Sequence, residues 1–420
     1  MLWFPYTQMS KIKEVPVLKG AKGVEMYLAN GTTLVDGIAS WWSAVHGYNN
    51  EAINEAIKGQ LEHFSHFMLG GIAHQPALQL AQELVRVTPQ GLNHVFFSDS
   101  GSVGVEIALK IALQYFKNKN IPHKTRIAYL RDGYHGDTFK AMEVSSDSDF
   151  NTAFAEVLTP QFELHIPSGG FHATPRQVAL AVQEMEDLFK KHHHEIACLI
   201  LEPIVQCAGG FNIYAPEYLA AARALTTQYN ILLIADEVAT GFGRTGKMFA
   251  CEHASITPDI MVLGKALTAG YVGHAATLAT TEVYNAFLGD SYESALMHGP
   301  TFMGNALACT IALKGIALLE QENYLEKINQ IHGFITAELQ NINSQHITAV
   351  RQIGALVALE FSSAKNLQGF APFAQQNGAW LRPIGNVLYL MPAYIISQAQ
   401  IAQLFKVITL WINQLDAQVK

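Results

Sequence analysis

Short apolar runs alternate with longer stretches of helical periodicity through most of the chain. Val95–Phe97, Arg126–Leu130, Cys198–Leu201, Ile231–Ala235 and Ile260–Leu263 are wholly or mostly apolar, the pattern of strands buried on both faces. Between them, Gly104–Phe116 places Ile107, Ala108, Ile111, Ala112 and Tyr115 at helical spacing, and Gln177–Lys191 does the same with Val178, Ala181, Val182, Met185 and Leu188. Strands alternating with helices predict an α/β fold, with a mainly parallel sheet flanked by helices. The rhythm changes near Ala306. A long helical pattern runs from there to about Asn341, followed by short strands at Ile347–Val350, Ala355–Glu360 and Val387–Leu390 and a closing helix. The expected division is an N-terminal segment, residues 1–49, joined to a smaller domain, then a large α/β domain, 50–305, and a smaller C-terminal α+β domain, 306–420.

Composition narrows the classes open to such a chain. It has 420 residues, 50% of them hydrophobic, enough for a large core without disulfide staples. A net charge of −8, with acidic and basic residues interspersed, argues against a nucleic-acid surface. Cys198, Cys207, Cys251 and Cys309 show no C-x-x-C spacing and read as reduced, mostly buried thiols. No apolar stretch approaches a membrane span, and the opening residues lack a charged segment followed by an apolar one. The simplest location is cytoplasmic.

Candidate chemistry centres on Lys265, at the end of the apolar run Ile260–Leu263, among small residues and with no other lysine from Met248 to Leu313. A partly desolvated lysine has a lowered pKa and can attack an aldehyde as the free amine. A lone lysine after a buried strand is also often a residue snorkelling to solvent. Asp236 ends the apolar run Ile231–Ala235, where a buried carboxylate needs a cationic partner, and a protonated pyridine nitrogen would be one. A lysine for the aldehyde and an aspartate for the ring nitrogen are the protein groups that pyridoxal phosphate requires. Ser98-Asp-Ser-Gly-Ser102 follows Val95–Phe97 and leads into a helix, a natural anion site, although the serines would serve equally as ordinary N-caps. Gly133-Tyr-His-Gly-Asp137 follows the next strand, and Tyr134 there is either a cover for the cofactor ring or a solvated turn tyrosine.

Two other motifs point elsewhere and fail on context. Gly241-Phe-Gly-Arg-Thr-Gly246 matches a dinucleotide fingerprint, but no amphipathic helix opens after it and Asp236–Thr240 separates it from its strand. It nearly matches a P-loop too, yet Met248 stands where a hydroxyl must hold magnesium. His192-His-His194 lacks a second pair of ligands and reads as a helix end, so no metal is expected.

The ordered set Ser100–Ser102, Tyr134–Gly136, Glu202-Pro-Ile-Val-Gln206, Asp236–Gly246 and Gly264-Lys265 resembles the class III pyridoxal-phosphate aminotransferases of fold type I. Phe4–Met9, Asp36–Tyr48 with its paired tryptophans, Met297–Asn305 and Arg382-Pro383 resemble the branch that moves an amino group from S-adenosylmethionine to 8-amino-7-oxononanoate in biotin synthesis. The resemblance implies that Lys265 forms the Schiff base with pyridoxal 5′-phosphate, Asp236 pairs with the pyridinium, Gly101 and Ser102 bind phosphate, and Tyr134 covers the ring. It implies a homodimer with shared sites, in which Pro300 and Thr301 reach the partner's phosphate. Tyr6, Trp41, Gly299 and Arg382 would line the substrate pocket, with Arg244 a further polar contact. Such a pocket suits a saturated chain ending in a carboxylate, because each buried methylene contributes about 0.8 kcal/mol and arginine offers a bidentate fork. Trp42 fits core packing and substrate contact equally. Two departures stand out: Cys207 replaces the glycine usual after Glu-Pro-Ile-Val-Gln, and Phe4 stands where histidine is expected. The alternatives are another class III aminotransferase acting on ω-amino acids, although Ala208 offers no acidic gate, and a pyridoxal-phosphate-binding regulator without turnover.

Overall fold

A computed structural model describes residues 2–12, 14–146 and 151–419. The strands, in chain order, begin with β1 (Leu18–Lys22), β2 (Glu25–Leu28) and β3 (Thr33–Asp36), an antiparallel meander. Next come β4 (Leu92–Ser98), β5 (Arg126–Leu130), β6 (Phe162–Leu164) and β7 (Ile196–Leu201). A small ribbon, β8 (Val205–Gln206) with β9 (Asn212–Ile213), precedes β10 (Leu232–Asp236), β11 (Ile260–Leu263) and β12 (Ala275–Thr280). The C-terminal strands are β13 (Ile347–Ile353), β14 (Leu356–Phe361), β15 (Ala379–Trp380) and β16 (Val387–Leu390).

The main sheet has seven strands in the order β4-β12-β11-β10-β7-β5-β6. From β11 to β6 every pairing is parallel, and β12 runs antiparallel to both neighbours. Every residue of β7, β10 and β11 is buried, as their uninterrupted apolar runs require. Alternate side chains enter two separate cores. Cys198, Ile200, Ile234 and Val262 pack with the helix Gly101–Asn118 through Val105, Ala108, Ile111 and Ala112, whereas Leu199, Leu201, Leu233 and Leu263 face the opposite layer.

The strand β12 has no counterpart in the apolar pattern, because its sequence Ala-Ala-Thr-Leu-Ala-Thr carries almost no bulk. The helix Gly101–Asn118 lies close against it. A Cβ on Gly104 would sit 2.9 Å from Val262 Cγ1 and 3.5 Å from Ala275 Cβ, so the small side chains on both elements permit the approach. The long helix expected from Ala306 to about Asn341 is in fact two, Ala306–Gln321 and Tyr324–Leu339. Asn323 breaks it with φ 51°, a left-handed conformation that asparagine tolerates better than most residues.

Chain ends and centre are tied together. β15 pairs in parallel with β3, matching Ala379 to Val35 and Trp380 to Asp36, so a C-terminal strand completes the N-terminal sheet. Arg351 in β13 donates to the carbonyls of Gly210 and Phe211, fixing the antiparallel sheet β13-β14-β16 against the loop after β8. No helix among the described residues is long and apolar enough to cross a membrane.

Candidate active site

The carboxyl ends of β4, β5, β7, β10 and β11 converge on one cleft, where a parallel sheet leaves its loops free to carry chemistry. Asp236, the last residue of β10, is only 4% exposed. Its Oδ2 lies 2.7 Å from His135 Nδ1, and its Oδ1 accepts from the Val238 amide at 3.1 Å. His135 comes from the loop after β5, where its amide donates to Ser145 Oγ at 3.0 Å. Glu202, just past β7, caps the backbone on two sides, accepting from Tyr134 N at 3.1 Å and Cys207 N at 3.0 Å. Burial pushes the Glu202 carboxyl up to about 7, against the opposing pull of His135.

Three segments meet at Val238. A Cβ on Gly101 would lie 2.9 Å from Val238 Cγ1, and one on Gly264 would lie 3.2 Å from the same atom. The helix start at Gly101, the turn after Asp236 and the residue before Lys265 are therefore in contact through one side chain. Ser100 caps that helix, its Oγ accepting from Val103 N at 3.3 Å. Gly136 covers Ser102 so closely that a Cβ would be 2.2 Å from Ser102 Oγ. Lys265 follows the extended Gly264 with φ 42°, and its Nζ stands 5.0 Å from the ring centroid of Trp42. Trp42 is buried, edge-on to Phe211 and Tyr389.

The mouth is aromatic and charged. Trp41, 39% exposed, carries the Arg382 guanidinium 5.4 Å from its ring centroid and meets Tyr6 edge-on at 6.0 Å. The Tyr6 hydroxyl contacts Tyr134 Oη at 3.2 Å and donates to Asp137, which also accepts from Tyr134 Oη at 2.9 Å. Burial and then the Asp137 contact push the Tyr6 phenol up to about 12, and burial raises Tyr134 as well. Among the described residues no carboxylate stands within salt-bridge distance of Arg382.

These contacts link Lys265, Asp236, Tyr134, Gly101, Ser102, Tyr6, Trp41 and Arg382 into one cluster. Gly299, Pro300 and Thr301 do not join it. They lie on a largely exposed stretch where the Thr301 carbonyl meets His66 Nε2 at 3.0 Å. Arg244 is 1% exposed and turned onto backbone, with Nη1 donating to Ala355 O at 3.0 Å and Pro392 O at 2.8 Å, and the Tyr394 ring beneath it. Cys207 is buried, and its φ is not positive, so the side chain there carries no left-handed strain. His135, Asp137, Glu202 and Val238 belong to the cleft although the sequence assigned them no role. Each is adjacent to an expected site residue or stands in a quoted motif, but their pairing is long-range and no spacing announces it.

The model for the class-III aminotransferases matches residues 8–412. The chain is 39% identical over 416 residues to the adenosylmethionine-8-amino-7-oxononanoate aminotransferase of Buchnera aphidicola subsp. Baizongia pistaciae, covering 98% of this chain and 96% of that one. It is likewise 39% identical over 412 residues to the enzyme of that name from Mycobacterium leprae, covering 96% and 93%. Among solved structures, the adenosylmethionine-8-amino-7-oxononanoate aminotransferase of Methanocaldococcus jannaschii superposes with a TM-score of 0.92 at 33% identity, covering 98% of this chain and 97% of that chain. An amine transaminase from an uncultivated Pseudomonas species, solved in its PLP-bound form, gives 0.90 at 27% identity, covering 98% of each chain. With a mainly parallel sheet, a helix start, a buried aspartate and a lysine converging on one cleft, this chain belongs to the class-III aminotransferases.

Proposed function

We propose that this chain transfers an amino group from S-adenosylmethionine to 8-amino-7-oxononanoate, giving 7,8-diaminononanoate. The observation that carries the reading is Arg382, a guanidinium over the Trp41 ring near the lysine, with no carboxylate among the described residues to neutralise it. A keto acid with a saturated chain and a terminal carboxylate supplies that partner, while Trp41 and Tyr6 cover its methylenes. The names carried by the relatives in Buchnera, Mycobacterium and Methanocaldococcus point to the same pair of substrates.

Class-III aminotransferases use pyridoxal phosphate, and the cleft fits it. A phosphate needs backbone amides without side-chain bulk, which the helix start at Gly101-Ser102 provides, with Gly136 able to pack onto Ser102 because it has no side chain. A ring nitrogen needs a buried carboxylate, which Asp236 provides. Gly101, Ser102, Tyr134, Asp236 and Lys265 would hold the group, and when bound it supplies an aldehyde that captures the amine and a ring that withdraws electrons from the neighbouring carbon. Lys265 Nζ is the base that takes the proton from that carbon and the acid that returns it one atom away. Asp236, locked by His135 and the Val238 amide, keeps a proton on the ring nitrogen by charge. Tyr134 and Tyr6, bonded to each other and both to Asp137, stand on the solvent side of the site and orient one another there.

Pro300 and Thr301 find a role only across an interface. Around them lie Phe67, Met68, Ile72, Met297 and Phe302, all large apolar residues exposed on the isolated chain. Leu69 reaches under Gly304, and His66 packs on Phe302 at 4.8 Å, so the two segments form one face. That apolar face supports a homodimer in which each chain lends Gly299, Pro300 and Thr301 to the other's site. The four cysteines are free and buried, which suits a reducing, cytoplasmic compartment.

The test is single-turnover spectroscopy of the loaded enzyme. S-adenosylmethionine should convert the cofactor to its amine form, and 8-amino-7-oxononanoate should convert it back. Conversion by lysine but not by S-adenosylmethionine would overturn the donor, and failure of the keto acid to reverse the change would overturn the acceptor.

A further inference from the structure

We infer that Asp36 is a positioning residue whose buried carboxylate holds residues 39–42 in a left-handed turn, setting Trp42 against Lys265 and Trp41 against Arg382. The inference rests on the pocket reading given above and adds the device that builds the pocket wall.

The observation is a run of backbone torsions. Ala39, Ser40, Trp41 and Trp42 have φ of 46°, 49°, 54° and 74°, four consecutive non-glycine residues in the left-handed region. Single residues visit that region, but runs do not, because each Cβ crowds the following carbonyl oxygen. The turn's own bonds, Trp42 N to Ile38 O at 2.8 Å and Ser43 N to Ala39 O at 2.9 Å, are no better than those of a right-handed turn. Something outside the turn must select this hand.

Asp36 is placed to do so. It is 1% exposed, and its carboxylate accepts from Ile38 N at 2.8 Å and Ser40 N at 3.0 Å, one amide before the left-handed run and one within it. Tyr48 Oη donates a third bond from the other side, anchoring the carboxylate to the chain that follows the turn. A buried carboxylate with no cation depends on such donors, so charge and turn geometry enforce each other. The outcome divides two adjacent tryptophans. Trp42 packs edge-on against the touching pair Phe211 and Tyr389 with its ring 5.0 Å from Lys265 Nζ, and Trp41 faces the mouth beneath Arg382. Asp36 ends β3 at its pairing with Trp380, and Gly37 N donates to Trp380 O at 3.1 Å, two residues before Arg382. The aromatic wall and the arginine therefore leave adjacent strand ends, and the Asp36 carboxylate fixes one relative to the other.

The experiment compares Asp36→Asn with Asp36→Asn/Ser40→Gly at a temperature where far-ultraviolet circular dichroism shows both folded. Ser40 is exposed and glycine adopts the left-handed region freely, so the second change relieves the turn without touching the pocket. The inference expects Asp36→Asn to lose most of the tryptophan near-ultraviolet circular dichroism of the cofactor-free protein and to raise KM for the keto acid roughly ten-fold, the scale of one charge-assisted contact. The double variant should recover at least half of both changes. An unaltered tryptophan band with an unaltered KM would overturn it, as would activity lost only in proportion to unfolded protein. If Asp36→Asn yields no folded protein, Tyr48→Phe decides: a KM raised about three-fold, as expected for one weakened hydrogen bond, supports the inference, and an unchanged KM overturns it. Should the wild-type enzyme fail to use this keto acid, the substrate reading falls, while the dichroism and its rescue still decide the role of Asp36.

Discussion

The proposed choice of acceptor rests on one side chain, Arg382, set over the Trp41 ring. It has an aromatic face and, among the described residues, no carboxylate within salt-bridge distance, so in that reading the acceptor's terminal carboxylate completes its pairing. Arg382→Ala should weaken the keto-acid half-reaction by about 2 to 4 kcal/mol, part of it from a carboxylate left unpaired in an apolar channel, and leave the donor half-reaction far less affected. Stopped-flow spectra of the two halves check this, and equal damage to both would remove Arg382 from that role. Lys124 is another cation set over an aromatic ring. It is 4% exposed, donates to the carbonyls of Ile196 and Asn230, and lies over the Phe116 ring, and burial lowers its pKa to about 8. Below that pH both folded and unfolded chains hold the proton. Between about 8 and the ordinary value of 10.5 the folded chain releases it first, the unfolded chain binds more protons, and stability rises with pH. Denaturant melts of Lys124→Met should lack this component, whose slope is at most about 1.4 kcal/mol per pH unit. The residues of the site divide along the same line. Lys265 and Asp236 are legible because each interrupts an apolar run. His135 and Asp137 are not, since a polar residue in a loop looks alike whether it meets solvent or, as His135 does, a carboxylate 101 positions away.

At the scale of elements, the sequence is clearest where burial is symmetrical. β7, β10 and β11 are buried on both faces and announce themselves as apolar runs, and β5 and β11 keep their expected bounds, Arg126–Leu130 and Ile260–Leu263. β12 escapes because its constraint is steric: alanine serves where a helix must approach through Gly104. The left-handed turn at Ala39–Trp42 escapes for another reason, as no glycine marks it and the carboxylate that holds it stands three residues upstream of Ala39. The break between Ala306–Gln321 and Tyr324–Leu339 is invisible to periodicity, because the helical pattern resumes directly after Asn323. Asn323→Ala should destabilise the chain by about 1 kcal/mol, since alanine resists φ 51°, whereas Asn323→Gly should be nearly neutral despite losing the bond to Glu326. Thermal melts of the two variants check it, and equal losses would place the effect in the Glu326 contact.

At the scale of the whole molecule, the expected site residues divide between a cleft and an exposed face. The cleft has a lysine, an aspartate, a helix start and an arginine, while Pro300 and Thr301 lie outside it, beside Phe302 and Met297 on an apolar face. Exposed patches of that kind mark surfaces that meet another chain. If a second copy covers this one, a symmetric dimer follows, with each phosphate cradle built from both chains. The arrangement has a measurable signature. In such a dimer Lys265→Ala would remove the base from a subunit's own site, and Thr301→Ala would damage the site of its partner. In a hybrid of the two, both lesions fall in the same site and the other site is intact. Mixing the two inactive or impaired homodimers under exchange should therefore restore up to about half the wild-type activity per hybrid, whereas lesions confined to their own subunits would leave no site whole. Sedimentation that finds a fully active monomer, or hybrids with no recovery, would refute the shared site.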